Sequence, residues 1–187
     1  MSRQVWVRVC AAVAVSVLVA AAAAFADGDG ERFRVRDDCD PATFNSGPPT
    51  GPGLGIICNP AFDGDQTFTD FIDEIRQTQQ AEHWRFEPDR TTVDRGERTT
   101  IESRAGEFHT FTKVADFGGG VVPVLNNLSH AGATRPECLA APGPTNIGVP
   151  DGARLNGPRG GSADLPKGTT KWQCCIHPWM RSTITVR

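Results

Sequence analysis

Tyrosine is absent from the 187 residues, methionine occurs only at Met1 and Met180, and histidine only at His83, His109, His130 and His177. So few thioethers and imidazoles exclude the Met-rich or His-rich tracts that hand metal ions from protein to protein. No two histidines form an H-x-H pair, which excludes the clustered sites of multi-metal oxidases. Basic residues are not in excess, at 19 against 22 acidic, so neither nucleic acid nor an anionic lipid surface is an expected partner. Glycine (20) and proline (14) are plentiful and interrupt the chain too often for long helices, which favours short strands joined by turns.

The one long apolar stretch runs from Val9 to Ala26, after Arg3 and Arg8 and before Asp27, Asp29 and Glu31. A basic start, an alanine-rich middle and Ala24-Phe25-Ala26 predict a secretory signal peptide over residues 1–26, cut after Ala26. The alternative, a retained anchor, is near the minimum length for spanning a bilayer. Cleavage takes away two basic and no acidic residues, leaving a net charge of −5 on a protein destined for the periplasm or the cell exterior, with no membrane insertion. About 160 residues then remain, enough for one core with a modest extension.

An exported chain normally pairs its thiols, yet five cysteines remain: Cys39, Cys58, Cys138, Cys174 and Cys175. The odd one is a thiol with another task. If it is Cys174, three connectivities are open to the other four, of which Cys39–Cys58 with Cys138–Cys175 is the expected pairing.

The thiol's task is legible in the C-terminal run T-T-K-W-Q-C-C-I-H-P-W-M-R-S-T-I-T-V-R. Cys174, His177 and Met180 stand at C-x2-H-x2-M spacing, offering a thiolate, an imidazole and a thioether. These are the donors of a copper site, one imidazole short of a His2Cys set with a weak axial Met. Trp172 and Cys174 alternate before the cluster, and Ile184 and Val186 after it, which predicts strand, tight loop, strand. Alternation also points Cys175 away from Cys174.

Upstream, residues 27–80 read as an extension. Its Gly- and Pro-rich first part is a loop that a Cys39–Cys58 disulfide would staple. Phe68, Phe71, Ile72 and Ile75 then follow the i, i+3, i+4, i+7 spacing of a helix over 67–80, with Thr67 or Thr69 as its cap. From His83 the period changes to 2: Trp84 and Phe86, then Thr99, Ile101 and Ser103, then His109 and Phe111 on one face with Phe108, Thr110 and Thr112 on the other. Short strands at this spacing predict an all-β, antiparallel sandwich over 81–187. Residues 118–168 are long for a loop, so a short helix near 124–129 and a strand near 153–156 are expected. His109, after a turn at Arg104-Ala105-Gly106, is the candidate for the missing imidazole.

Taken together, W-R-F-E-P-x4-V-x2-G, then H-T-F, then G-T-T-K-W-Q-C-C-I-H-P-W-M-R resemble a cupredoxin, the small blue copper fold, over roughly residues 82–187. The ligand loop is most similar to the amicyanin type, with C-x2-H-P-aromatic-M, Arg and a final strand. The D-D-C-D-P and F-T-D-F-I segments also resemble exported bacterial proteins of this family. The resemblance implies a Greek-key sandwich binding one type 1 copper ion through His109, Cys174 and His177, with Met180 weak and axial. It implies a monomeric one-electron carrier between a protein donor and a protein acceptor, and no enzyme, since the ligand set leaves no position open for substrate. The competing reading is copper storage, delivery or sensing without electron shuttling. Two departures stand out. Ser103 replaces the Asn that commonly braces the ligand loops in the family, and the 118–168 insertion is long. His177 is expected near the surface beside Pro178 and Trp179, where a redox partner would dock.

Overall fold

In a computed structural model of the chain, residues 30–46, 57–157 and 165–187 are described. The expected signal peptide lies outside these residues. Two sheets carry the fold. The first has the order β2–β1–β4–β7, from β1 (Glu31–Arg36), β2 (Arg85–Glu87), β4 (Thr99–Arg104) and β7 (Arg154–Asn156). The second has the order β3–β9–β8–β5–β6, from β3 (Arg90–Val93), β5 (His109–Val114), β6 (Asn146–Val149), β8 (Gly168–Gln173) and β9 (Arg181–Val186). Most neighbours are antiparallel; β1 with β4 and β3 with β9 are parallel. This is the Greek-key β-sandwich with an N-terminal extension that the sequence predicts, except that its sheets are mixed where antiparallel pairing is expected throughout.

The alternating side chains that define the strands also fill the space between the sheets. Phe33 and Phe86 of the first sheet meet Phe111 of the second at 5.3 and 4.9 Å between ring centroids, and Phe111 stacks on Trp172 at 5.0 Å. All four rings are buried. At about 25 cal/mol per Å² of apolar surface, a seam of four such rings is a large share of the folding free energy.

Among the described residues, three α-helices, α1 (Pro41–Phe44), α2 (Phe68–Thr78) and α3 (Pro123–Leu128), and a 3-10 turn at Pro136–Leu139 complete the fold. The predicted helix over 67–80 is α2. Thr67 caps it, its hydroxyl accepting from Asp70 N–H at 3.2 Å, and it ends at Gln79, whose φ of 65° is left-handed. Phe71 and Ile75 are buried on its inner face. The expected strand near 153–156 is β7, and the expected helix near 124–129 is α3. No helix among the described residues is long and apolar enough to cross a membrane.

The region before residue 81 does more than extend the sandwich. Read from sequence as loop and helix, it supplies β1, which lies inside the first sheet between β2 and β4. The signal is E-R-F-R-V-R, where Phe33 and Val35 are buried and the arginines between them are not. Both expected disulfides are formed, Cys39–Cys58 and Cys138–Cys175, and among the described residues Cys174 is the free thiol.

Candidate metal centre

β8 ends at Gln173 and β9 starts at Arg181, so residues 174–180 form the tight loop between paired strands. The loop closes on itself: Met180 N–H donates to His177 O at 2.9 Å, and Cys174 N–H donates to Met180 O at 3.0 Å. Cys174, His177 and Met180 are all buried. His109 opens β5, the strand beside β8, and is buried too.

Cross-strand placement brings three donors to one point. His109 Nδ1 lies 3.7 Å from Cys174 Sγ, His177 Nδ1 lies 3.9 Å from the same sulfur, and the two Nδ1 atoms are 3.3 Å apart. The three ligand atoms form one group within 4.8 Å of one another. His83 and His130 are exposed and take no part in it. Three backbone N–H groups also face the sulfur, those of Thr110 (3.5 Å), Ile176 (3.4 Å) and His177 (3.5 Å). Such donors favour a thiolate over a thiol.

The two imidazoles turn their other nitrogens to carboxylates. His109 Nε2 is 2.8 Å from Asp37 Oδ2, and His177 Nε2 is 3.2 Å from Glu107 Oε2. An N–H at each Nε2, donated to the carboxylate behind it, leaves each Nδ1 lone pair for the centre. Asp37 also accepts from Gly106 N–H (2.7 Å) and Glu107 N–H (2.9 Å), and Glu107 from Trp84 Nε1–H (3.2 Å).

Proton affinities follow from these contacts. Burial alone would push the Cys174 thiol up, but hydrogen bonds and charge from His109 and His177 outweigh it and hold the thiol well below its usual 9.0. Burial would push His109 down, whereas Asp37 and Cys174 carry it up to about 10. His177 is raised in the same way, against burial, by Cys174 and Glu107. For Asp37, burial is outweighed by His109 and by the two backbone N–H groups, and the net shift is downward.

The loop is braced from both sides. Thr110 Oγ1 accepts from Cys175 N–H at 2.7 Å, tying β5 to the loop. Ser103, where a bracing Asn is common in the family that the sequence resembles, is buried, and its hydroxyl has no hydrogen-bond partner among the described residues. On the other side Val121 N–H donates to Cys175 O at 2.6 Å. Gly120 packs so closely on that carbonyl that a Cβ there would collide with it. The Asn126 side chain holds Gly120 by its N–H and C=O, at 2.7 and 2.8 Å. Residues 118–135 are thereby fastened to the loop at Cys175, the residue whose disulfide reaches Cys138.

One expectation is corrected. His177 does not lie at the surface; it is 1% exposed. Phe71 of α2, Trp84 and Trp179 pack around its ring, with centroids at 6.2, 6.4 and 5.5 Å. Phe44 of α1 backs Phe71 and Trp84. The apolar residues of α1 and α2 need a surface to cover, and the His177 side of the sandwich is that surface. Sequence reading also passed over Asp37 and Glu107. Glu107 stands two residues before His109, in the bend that leads into β5, where the same spacing that marks His109 could have pointed to it. Asp37 follows the alternating E-R-F-R-V-R stretch directly.

No family model matches the chain, and no curated protein matches it. Among solved structures, it is similar to a purple cupredoxin from Nitrosopumilus maritimus, at 14% identity over 57% of this chain and 86% of that one, with a TM-score of 0.35. It is also similar to amicyanin from Paracoccus versutus (14% identity, 58% and 77% covered, TM-score 0.32) and to oxidised plastocyanin from Dryopteris crassirhizoma (19% identity, 56% and 89% covered, TM-score 0.27). With identities and TM-scores this low, the reading of the centre rests on its own geometry.

Proposed function

We propose that the chain is an exported type 1 copper protein that carries single electrons between a protein donor and a protein acceptor. The observation that carries this reading is the convergence of His109 Nδ1, His177 Nδ1 and Cys174 Sγ in a buried group, with each Nε2 already engaged by a carboxylate. The donor set fits the ion: one thiolate and two imidazoles suit both oxidation states of copper, and the buried thioether of Met180 on the same loop would be a further, weak donor. When bound, the ion supplies the one-electron couple. The chain's own residues do the rest. His109 and His177 are held as Nδ1 donors, the backbone N–H groups at Cys174 favour its thiolate, and paired strands β5, β8 and β9 keep the donors in place. A rigid set changes little between oxidation states, so little reorganisation opposes transfer. Phe71, Trp84 and Trp179 exclude water from the His177 side.

Storage or delivery calls for donors that an incoming protein can reach. None of the three here is more than 1% exposed, which favours retention of the ion with passage of the electron. The proposed route for export is the signal peptide read over residues 1–26, consistent with the two disulfides among the described residues. The test is to add Cu(II) to the mature chain and record the visible spectrum. An intense thiolate-to-copper band that is lost in Cys174→Ser and kept in Cys175→Ser is the expected result. A colourless protein after one equivalent of Cu(II) refutes the reading.

A further inference from the structure

Resting on the copper reading above, we propose that Asp37 and Glu107 are positioning residues that also set the charge of the centre. Each lies behind one imidazole, and together they make this a low-potential centre that favours Cu(II) over Cu(I).

The geometry is symmetrical in kind. Asp37 stands behind His109 at 2.8 Å and Glu107 behind His177 at 3.2 Å, and the four side chains are between 0 and 1% exposed. Every hydrogen bond to Asp37 comes from a donor: two backbone N–H groups and the imidazole. Glu107 Oε2 takes Trp84 Nε1–H beside His177. Among the described residues, neither carboxylate has a Lys or Arg partner. Water or a backbone carbonyl would orient an imidazole equally well, without charge. Two carboxylates buried without a cation are costly unless something nearby balances them.

The balance is arithmetic. One thiolate and two carboxylates sum to −3 around neutral imidazoles. A divalent ion leaves −1, and a monovalent ion leaves −2. With water excluded by Phe71, Trp84 and Trp179, that difference is weakly screened. The more negative state is the costlier one to bury, so the oxidised ion is favoured.

The experiment compares the copper-loaded full-length mature chain with Glu107→Gln and Glu107→Asp. Glutamine keeps an oxygen for the His177 and Trp84 N–H groups and removes only the charge. In Glu107→Gln the visible band should persist, while the Cu(I)/Cu(II) ratio at a fixed potential rises by at least about tenfold, a midpoint about 59 mV higher for a one-electron couple. Glu107→Asp should stay near the wild type. A blue Glu107→Gln protein with an unchanged midpoint overturns the proposal and leaves the copper reading intact. A wild-type chain that takes up no copper fails both. Should Glu107→Gln not fold, Asp37→Asn carries the same expected sign. In the Zn(II)-loaded wild type, nitrogen-15 NMR should find both Nε2–H protons slow to exchange, and a fast-exchanging His177 Nε2–H overturns the proposal.

Discussion

The Phe71 ring meets the His177 imidazole edge-on, with centroids 6.2 Å apart and planes at 87°. A helix from the N-terminal region thus covers the imidazole on the ligand loop, more than a hundred residues away in sequence. Removing that ring should act on both stability and access. Phe71→Ala should cost about 3–5 kcal/mol, the usual range for a buried aromatic cut to a methyl group, and should quicken copper extraction by a chelator while the visible maximum stays. Urea unfolding and extraction kinetics measure the two effects. An extraction rate equal to wild type would show that the helix does not guard the centre.

The tie from Thr110 to Cys175 should matter because it satisfies a backbone N–H at the start of the ligand loop. Thr110→Val leaves that group without its acceptor and should cost about 1–3 kcal/mol, while Thr110→Ser restores most of it. Denaturant midpoints for the two variants decide the matter. Equal midpoints for Val and Ser would remove the tie from the account.

Cys174 and Cys175 are adjacent but have different work, and their variants should separate cleanly. Replacing Cys138 and Cys175 together by alanine frees a segment with a sequence separation of 37. By loop-closure entropy this should cost about 4 kcal/mol, with the visible band kept. Cys174→Ser should abolish the band. Loss of the band in the double variant would mean that the disulfide shapes the ligand set as well as the stability.

The pH dependence of metal uptake follows from which group carries the proton. Near neutral pH in the metal-free protein, His109, raised to about 10 by Asp37 and Cys174 against its burial, is imidazolium, while the Cys174 thiol is held well below its usual 9.0. Loading therefore expels a proton from the His109 imidazole. Each proton released steepens affinity by tenfold per pH unit, so Zn(II) affinity should rise with pH through neutrality and level off near the His109 value. Calorimetry in buffers of different ionisation enthalpy counts the protons. An affinity flat between pH 6 and 8 would contradict the assignment.

Much of the centre was legible because its donors obey short-range rules. C-x2-H-x2-M spacing and strand alternation separate Cys174 from Cys175, and the start of an alternating segment singles out His109. The missed parts depend on contacts that no local pattern encodes. Asp37 meets His109 across 72 positions, and α2 reaches His177 across about a hundred. The amphipathic face of α2 was visible in sequence, but not the surface it would choose. The surface position expected for His177 failed for that reason.

Consider finally where β1 sits. Residues 31–36 run parallel to β4 along their whole length and pair on their other edge with β2. A chain begun at residue 81 would keep every proposed copper ligand yet lose the strand that joins Arg85–Glu87 to Thr99–Arg104. Two sheet edges would be laid bare, and with them a template for aggregation. The segment that resembles the smaller copper proteins is therefore not a unit that can be cut out. Anyone shortening, fusing or transplanting this protein must carry its first strand along.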